Sequence, residues 1–97
     1  MTFGDRYGPW ALVTGASAGI GAEFASQLAE LQLNLVLVAR RRQRIEDLAQ
    51  RLKSTNNIEI RLVTADLSQP DFLPLILSAT HNIEIGLLVN NAGFGIA

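Results

Sequence analysis

Cysteine is absent from this 97-residue chain, and histidine, tyrosine, tryptophan and lysine each occur once. Without cysteine there is no disulfide framework, thiolate zinc site or cysteine nucleophile, which suits a reducing cytoplasmic setting. His81, between Thr80 and Asn82, has no acid or nucleophile at a recognisable spacing and reads as an ordinary surface residue. Charge of one sign is also lacking. Eight basic residues stand against nine acidic ones, for a net charge of −1, which argues against nucleic acid as a partner. Long hydrophobic runs are missing too. The longest charge-free stretch, Tyr7 to Ala22, is 16 residues broken by Pro9 and four glycines, so no membrane span is expected. Met1 to Gly8 carries Asp5 and Arg6 without an apolar run, unlike a signal peptide.

What the chain does have is apolar surface. Apolar residues make up 48% of it, and eight glycines raise the total above the roughly 45–50% usual for that combined set. Disorder is thereby excluded, and the length suits one domain, residues 1–97. The surplus hints that part of the domain's natural covering is missing.

The hydrophobic period alternates along the chain. Trp10 to Thr14 is a short apolar run of the kind buried on both sheet faces. Ile20, Phe24, Leu28 and Leu31 then recur at helical spacing and predict one apolar helix face. Leu33 to Ala39 reads as a second strand. A second helix follows, with Ile45, Leu48 and Leu52 inward and Arg44, Asp47, Arg51 and Lys53 outward. Ile58 to Ala65 is a third strand, Pro70 opens a third helix running to about Ala79, and Gly86 to Asn90 is a fourth strand. Strands alternating with amphipathic helices imply βαβ units and a parallel sheet, joined by right-handed crossovers. The expected fold class is α/β: a Rossmann-type doubly wound parallel sheet, first four strands only, in the order 3-2-1-4. Helices one and two then cover one face, helix three stands alone on the other, and strand four lies at an edge.

Strand one runs into Thr14-Gly15-Ala16-Ser17-Ala18-Gly19-Ile20-Gly21, and a helix starts inside that loop. In open parallel sheets ligands bind beyond the carboxyl ends of the strands. Gly15 permits the tight turn, while Gly19 and Gly21 allow close backbone approach and helix–sheet packing. The helix N-terminus supplies free N–H donors and a positive dipole end that suit a pyrophosphate. No Lys-Ser/Thr pair follows the last glycine, so this is not a nucleoside-triphosphate loop. The plain alternative is a glycine-rich turn joining a strand to a helix. On the ligand reading, Gly15, Ser17, Ala18, Gly19, Ile20 and Gly21 are the candidate pyrophosphate contacts.

A dinucleotide site presents its adenosine-ribose contact about 20 residues beyond such a loop. No carboxylate stands there; the sequence offers Arg40-Arg41-Arg42 and Arg44 instead. These arginines open helix two, where the macrodipole disfavours positive charge. A cluster set against its local electrostatics wants an anion, and the 2′-phosphate of NADP suits bidentate arginine. Arg40 and Arg41 are the candidates, with NADP(H) favoured over NAD(H). The competing reading is a solvated helix end in which Arg42 pairs with Glu46 at i,i+4 spacing. Asp66-Leu67 closes strand three at the same edge; Asp66 either accepts a hydrogen bond from adenine, with Leu67 beside the ring, or caps the turn. Asn90-Asn91-Ala92-Gly93 closes strand four. Its carboxamides can satisfy backbone groups where the sheet opens, and Ala92 and Gly93 leave room for a ribose.

Thr14-Gly15-x-x-x-Gly19-x-Gly21, Asp66 and Asn90-Asn91-Ala92-Gly93, in this order and spacing, resemble the short-chain dehydrogenase/reductase family from Pro9 to Gly95. The resemblance implies a Rossmann domain whose glycine loop holds the cofactor pyrophosphate. It also implies Asp66 at adenine and Asn90 to Gly93 beside the ribose. In that family an arginine just after strand two marks NADP-preferring members, and Arg40 matches it. Many such members also carry a basic residue where this chain has Ala18, so Arg40 is left with most of the discrimination. The family's catalysis rests on a serine and a Tyr-x-x-x-Lys pair. Here the one tyrosine, Tyr7, is followed four positions on by Ala11, and the one lysine is Lys53. No catalytic residue is therefore expected in these 97 residues. The expectation is the cofactor-binding portion of an NADP-dependent oxidoreductase, truncated after strand four. A missing C-terminal half or self-association would then cover that strand. The alternative is a stand-alone nucleotide-binding module with a sensing or scaffolding role.

Overall fold

The structure, a computed structural model, describes residues 9–16, 19–66, 69 and 72–90. Its elements are β1 (Trp10–Thr14), α1 (Gly19–Glu30), β2 (Asn34–Ala39), α2 (Arg42–Thr55), β3 (Ile60–Thr64), α3 (Phe72–Thr80) and β4 (Ile85–Asn90). The four strands among the described residues form one parallel sheet in the order β3-β2-β1-β4, as the alternating periods predict. Pro70 lies outside the described residues. Pro74 sits in the first turn of α3, where its missing N–H has no intrahelical acceptor to lose.

β1 and β2 are the inner strands, and their continuous apolar runs follow from cover on both faces. Alternate residues point to opposite faces. Ala11, Val13, Leu35, Leu37 and Ala39 meet the inward sides of α1 and α2. Trp10, Leu12, Val36, Val38 and Val63 form the opposite cluster, covered by Phe72, Ile76 and Ala79 of α3 with Ile83 and Ile85. α2 buries Ile45, Leu48, Ala49 and Leu52, the face its spacing predicts.

α1 departs from its predicted face. Its buried residues are Gly21, Ala25, Leu28 and Ala29, whereas Ile20 is 66% exposed and Phe24 and Leu31 are exposed as well. The period is helical as expected, but the phase is set by packing. Glycine and alanine let the helix axis approach the sheet; of the predicted face Leu28 stays inward, and Ile20, Phe24 and Leu31 are displaced to the flank. Two residues beyond α1, Gln32 adopts φ 67°, the left-handed conformation that closes a helix terminus. There the Gln32 and Leu33 amides donate to the carbonyls of Ala29 (2.9 Å) and Leu28 (3.2 Å).

The outer elements are held more lightly. α3 has no buried residue, and Arg61 of β3 ties its end to the sheet. The Arg61 Nη1 donates to the Ala79 carbonyl (2.7 Å) and to Asn82 Oδ1 (2.8 Å). Its guanidinium carbon lies 5.1 Å from the Trp10 ring centroid. β4 alternates half-buried and exposed positions, with Leu88 63% exposed beside Leu12. No helix of the described residues is long and apolar enough to cross a membrane.

Candidate functional site

Because the strands are parallel and in close register, their carboxyl ends line one edge of the sheet. Thr14 pairs with Val38 on one side and Asn90 on the other, and Ala39 pairs with Thr64. The segments leaving these ends are therefore brought together, although they are scattered through the sequence.

Gly15 leaves β1 with φ 64°, a left-handed conformation that glycine adopts at little cost. The next amide, Ala16 N–H, donates to the Val38 carbonyl (3.3 Å), so the loop crosses over the end of β2. Gly19 begins α1 with φ 61°, and a Cβ built there would meet no atom of the described residues within 4 Å. The first turn of α1 contains no acidic residue to neutralise its N–H groups. Gly21 is buried against the sheet, and Ile20 stands exposed at the helix start. Ser17 and Ala18 lie outside the described residues.

Arg40 is the first residue after β2 and is exposed. Arg41 occupies the N-cap position of α2 in an extended conformation with no side-chain cap. The competing expectation for this cluster holds for one arginine: Arg42 Nε lies 3.6 Å from Glu46 Oε2, both exposed. The other nearby carboxylate, Asp47, accepts from the Gln43 side chain (3.0 Å). Arg40, Arg41 and Arg44 are left without a carboxylate partner among the described residues, around a helix N-terminus that itself repels cations.

Asp66, half-buried just beyond β3, accepts at its backbone carbonyl from the Gln69 amide (2.9 Å), as a residue at a turn does. Asn90 ends β4 beside the glycine loop. Leu67, Ala92 and Gly93 lie outside the described residues. Thr14 opens the glycine-loop motif in the sequence, but the sequence reasoning gave its side chain no role. Its side chain is buried, and its hydroxyl donates to Asn90 Oδ1 (2.9 Å), closing β1 to β4 beneath the loop. The available signal was a lone hydroxyl at the end of an otherwise apolar strand. His81 lies away from this edge, just after α3, with its Nδ1 2.9 Å from the Ser78 carbonyl. Among the described residues no group of three or more acidic or histidine side chains is placed to hold a metal ion. Among the described residues, this edge thus sets the acid-free first turn of α1 near the end of β1 and the guanidinium groups of Arg40, Arg41 and Arg44, without carboxylate partners, beyond the end of β2.

Comparison with known proteins agrees with this geometry. The family model for short chain dehydrogenases matches residues 9–97. A 7beta-hydroxysteroid dehydrogenase from Mediterraneibacter gnavus is 38% identical over 88 residues, covering 91% of this chain and 34% of that protein. Among solved structures, a short-chain dehydrogenase from Sphingobium yanoikuyae in complex with NADPH superimposes with a TM-score of 0.81 at 40% identity, over 89% of this chain and 34% of the other. The L-sorbose reductase of Gluconobacter frateurii, complexed with NADPH and L-sorbose, gives 0.84 at 32% identity, over 91% and 34%. The chain spans about a third of the length of the relatives it matches. Sheet order, glycine loop and sequence likeness converge on one conclusion: the chain belongs to the short chain dehydrogenase family.

Proposed function

We propose that this chain is the NADP(H)-binding part of a short-chain oxidoreductase. The observation that carries the reading is the arginine cluster at the end of β2, where Arg40, Arg41 and Arg44 have no carboxylate partner among the described residues. Two structural relatives solved with NADPH support it. Gly15 to Gly21 hold the pyrophosphate, with the α1 N-terminus turned toward it. Arg40, assisted by Arg41, takes the 2′-phosphate; Asp66 and Leu67 flank adenine, and Asn90, Ala92 and Gly93 border the ribose. The bound nicotinamide exchanges hydride with a carbonyl or alcohol substrate in the complete cytoplasmic enzyme. Within these 97 residues there is no Tyr-x-x-x-Lys pair, so the chain alone binds the dinucleotide without turning over substrate.

Calorimetric titration with NADPH and NADH tests the reading. Charge-assisted bonds to the 2′-phosphate contribute about 1.5–3 kcal/mol, a preference of roughly ten- to a hundredfold. Arg40→Ala abolishes most of it. Equal affinities for the two cofactors in the unmodified chain overturn the reading. Steady NADPH oxidation with carbonyl substrates refutes the absence of turnover. The exposed Leu88 edge of β4 is covered by the further length that relatives possess. In this chain by itself a second copy takes that place, so sedimentation at increasing concentration shows association, which Leu88→Lys reduces. A monodisperse monomer at high concentration counts against this part.

A further inference from the structure

We infer that Gly86 is the slack of a β-bulge at the foot of β4: it takes up differences in chain length, so that the anchors on Leu87 to Asn90 keep Asn90 in phase with Thr14 independently of the α3 connection. Trp10 pairs with Ile85, but the next pair is Ala11 with Leu87, and the pairing then runs unbroken to Thr14 with Asn90. β4 thus uses one residue more than β1 over the same stretch, and that residue is Gly86. The core reports the same shift independently. Ile83 and Ile85 pack in the cluster beneath α3, whereas Leu87 and Val89 pack in the cluster on the opposite face. In an uninterrupted strand these alternate residues share a face; a bulge reverses the phase.

Each side of the bulge has its own anchor. Upstream, Arg61 grips the Ala79 carbonyl and Asn82 while lying over Trp10, which fixes the turn before β4 to the start of β1. Downstream, Leu87 and Val89 are held by their cluster and Asn90 by the Thr14 hydroxyl. Regular pairing carried on from Ile85 would set Val89 against Thr14. It would also turn Leu87 and Val89 to the other face of the sheet, a loss that specifies register strongly. One unpaired residue satisfies both anchors. A change in chain length before Leu87 is consequently absorbed at residue 86 and does not reach the dinucleotide edge.

The binding part of the test rests on the NADP(H) reading; the register part does not. Two variants are made, one lacking Gly86 and one with a second glycine inserted beside it. NADPH affinity is measured by titration. Register is read by disulfide formation between Leu12→Cys and either Leu88→Cys or Leu87→Cys, in a chain with no other cysteine. Both variants are expected to form the 12–88 crosslink and not the 12–87 crosslink, and to bind NADPH within threefold of the parent. A switch to the 12–87 crosslink in the insertion variant overturns the proposal, as does a variant that forms neither. Preserved register with affinity reduced tenfold or more overturns its functional half. If the parent itself does not bind NADPH, the dinucleotide reading fails, and the crosslinks still decide whether Gly86 carries the slack.

Discussion

Replacing Arg61 by methionine removes a guanidinium group while keeping most of the apolar stem. Two hydrogen bonds are lost, at 2.7 and 2.8 Å, together with the stacking on Trp10. Bonds from a charged donor contribute about 1.5–3 kcal/mol, the cation–π contact about 0.5–1 kcal/mol, and a cation at a helix C-terminus about 0.3–1 kcal/mol. Against these stands roughly 2 kcal/mol of arginine rotamer entropy, part of which is lost on ordering the side chain. Since the residue is only half-buried, we take the low end of each contribution and expect a net loss of about 2 kcal/mol. With a urea slope of about 1–3 kcal/mol/M, the midpoint falls by about 1 M at unchanged slope. Hydrogen exchange locates the effect. α3, which has no buried residue, loses amide protection before β1 and β2 do. Arg61→Lys recovers only part of the loss, because an ammonium lacks the planar fork. A change below about 0.5 kcal/mol for Arg61→Met, the range of an ordinary surface substitution, refutes the clamp. So does protection lost uniformly across the sheet.

Leu37→Ala, at a fully buried position of β2, destabilises the chain by about 2–5 kcal/mol in a denaturant melt. Gln32→Gly relieves a left-handed backbone at the end of α1 and raises stability by about 0.5–1 kcal/mol in the same assay. Arg42→Ala breaks an exposed i,i+4 pair and shifts stability by less than about 0.5 kcal/mol. Raising salt to about 1 M shortens the screening length to about 3 Å, so the preference for NADPH over NADH, measured by titration, shrinks several-fold.

The elements whose neighbours lie close in sequence were the most legible. Ile45, Leu48 and Leu52 give both the period and the buried face of α2, because their spacing alone makes the stripe. In α1 the same logic selected Ile20, Phe24, Leu28 and Leu31, of which Leu28 is buried, whereas Gly21 and Ala25 take the other inward positions. Hydropathy identifies the larger side chains, but close helix–sheet packing selects the smaller ones. Gly15 and Gly19 were readable as loop glycines, and both have the positive φ that favours glycine. What stayed hidden depends on pairing across long separations. The bond from Thr14 to Asn90 spans 76 positions, and the surplus residue at Gly86 exists only relative to β1. Arg61 gives no local sign that it will reach Ala79 and Trp10.

The placement of β4 beside β1 also bears on how the nascent chain matures. β1, β2, β3 and the two helices between them are complete once Ala65 has been synthesised, yet the second neighbour of β1 is not finished until Asn90. At roughly 5–20 residues per second, translation leaves about 1–5 s during which the outer edge of β1 awaits its partner. Throughout that interval Trp10 to Thr14 present an apolar strand with one row of unsatisfied backbone groups, a template for mispairing between neighbouring polysomal chains.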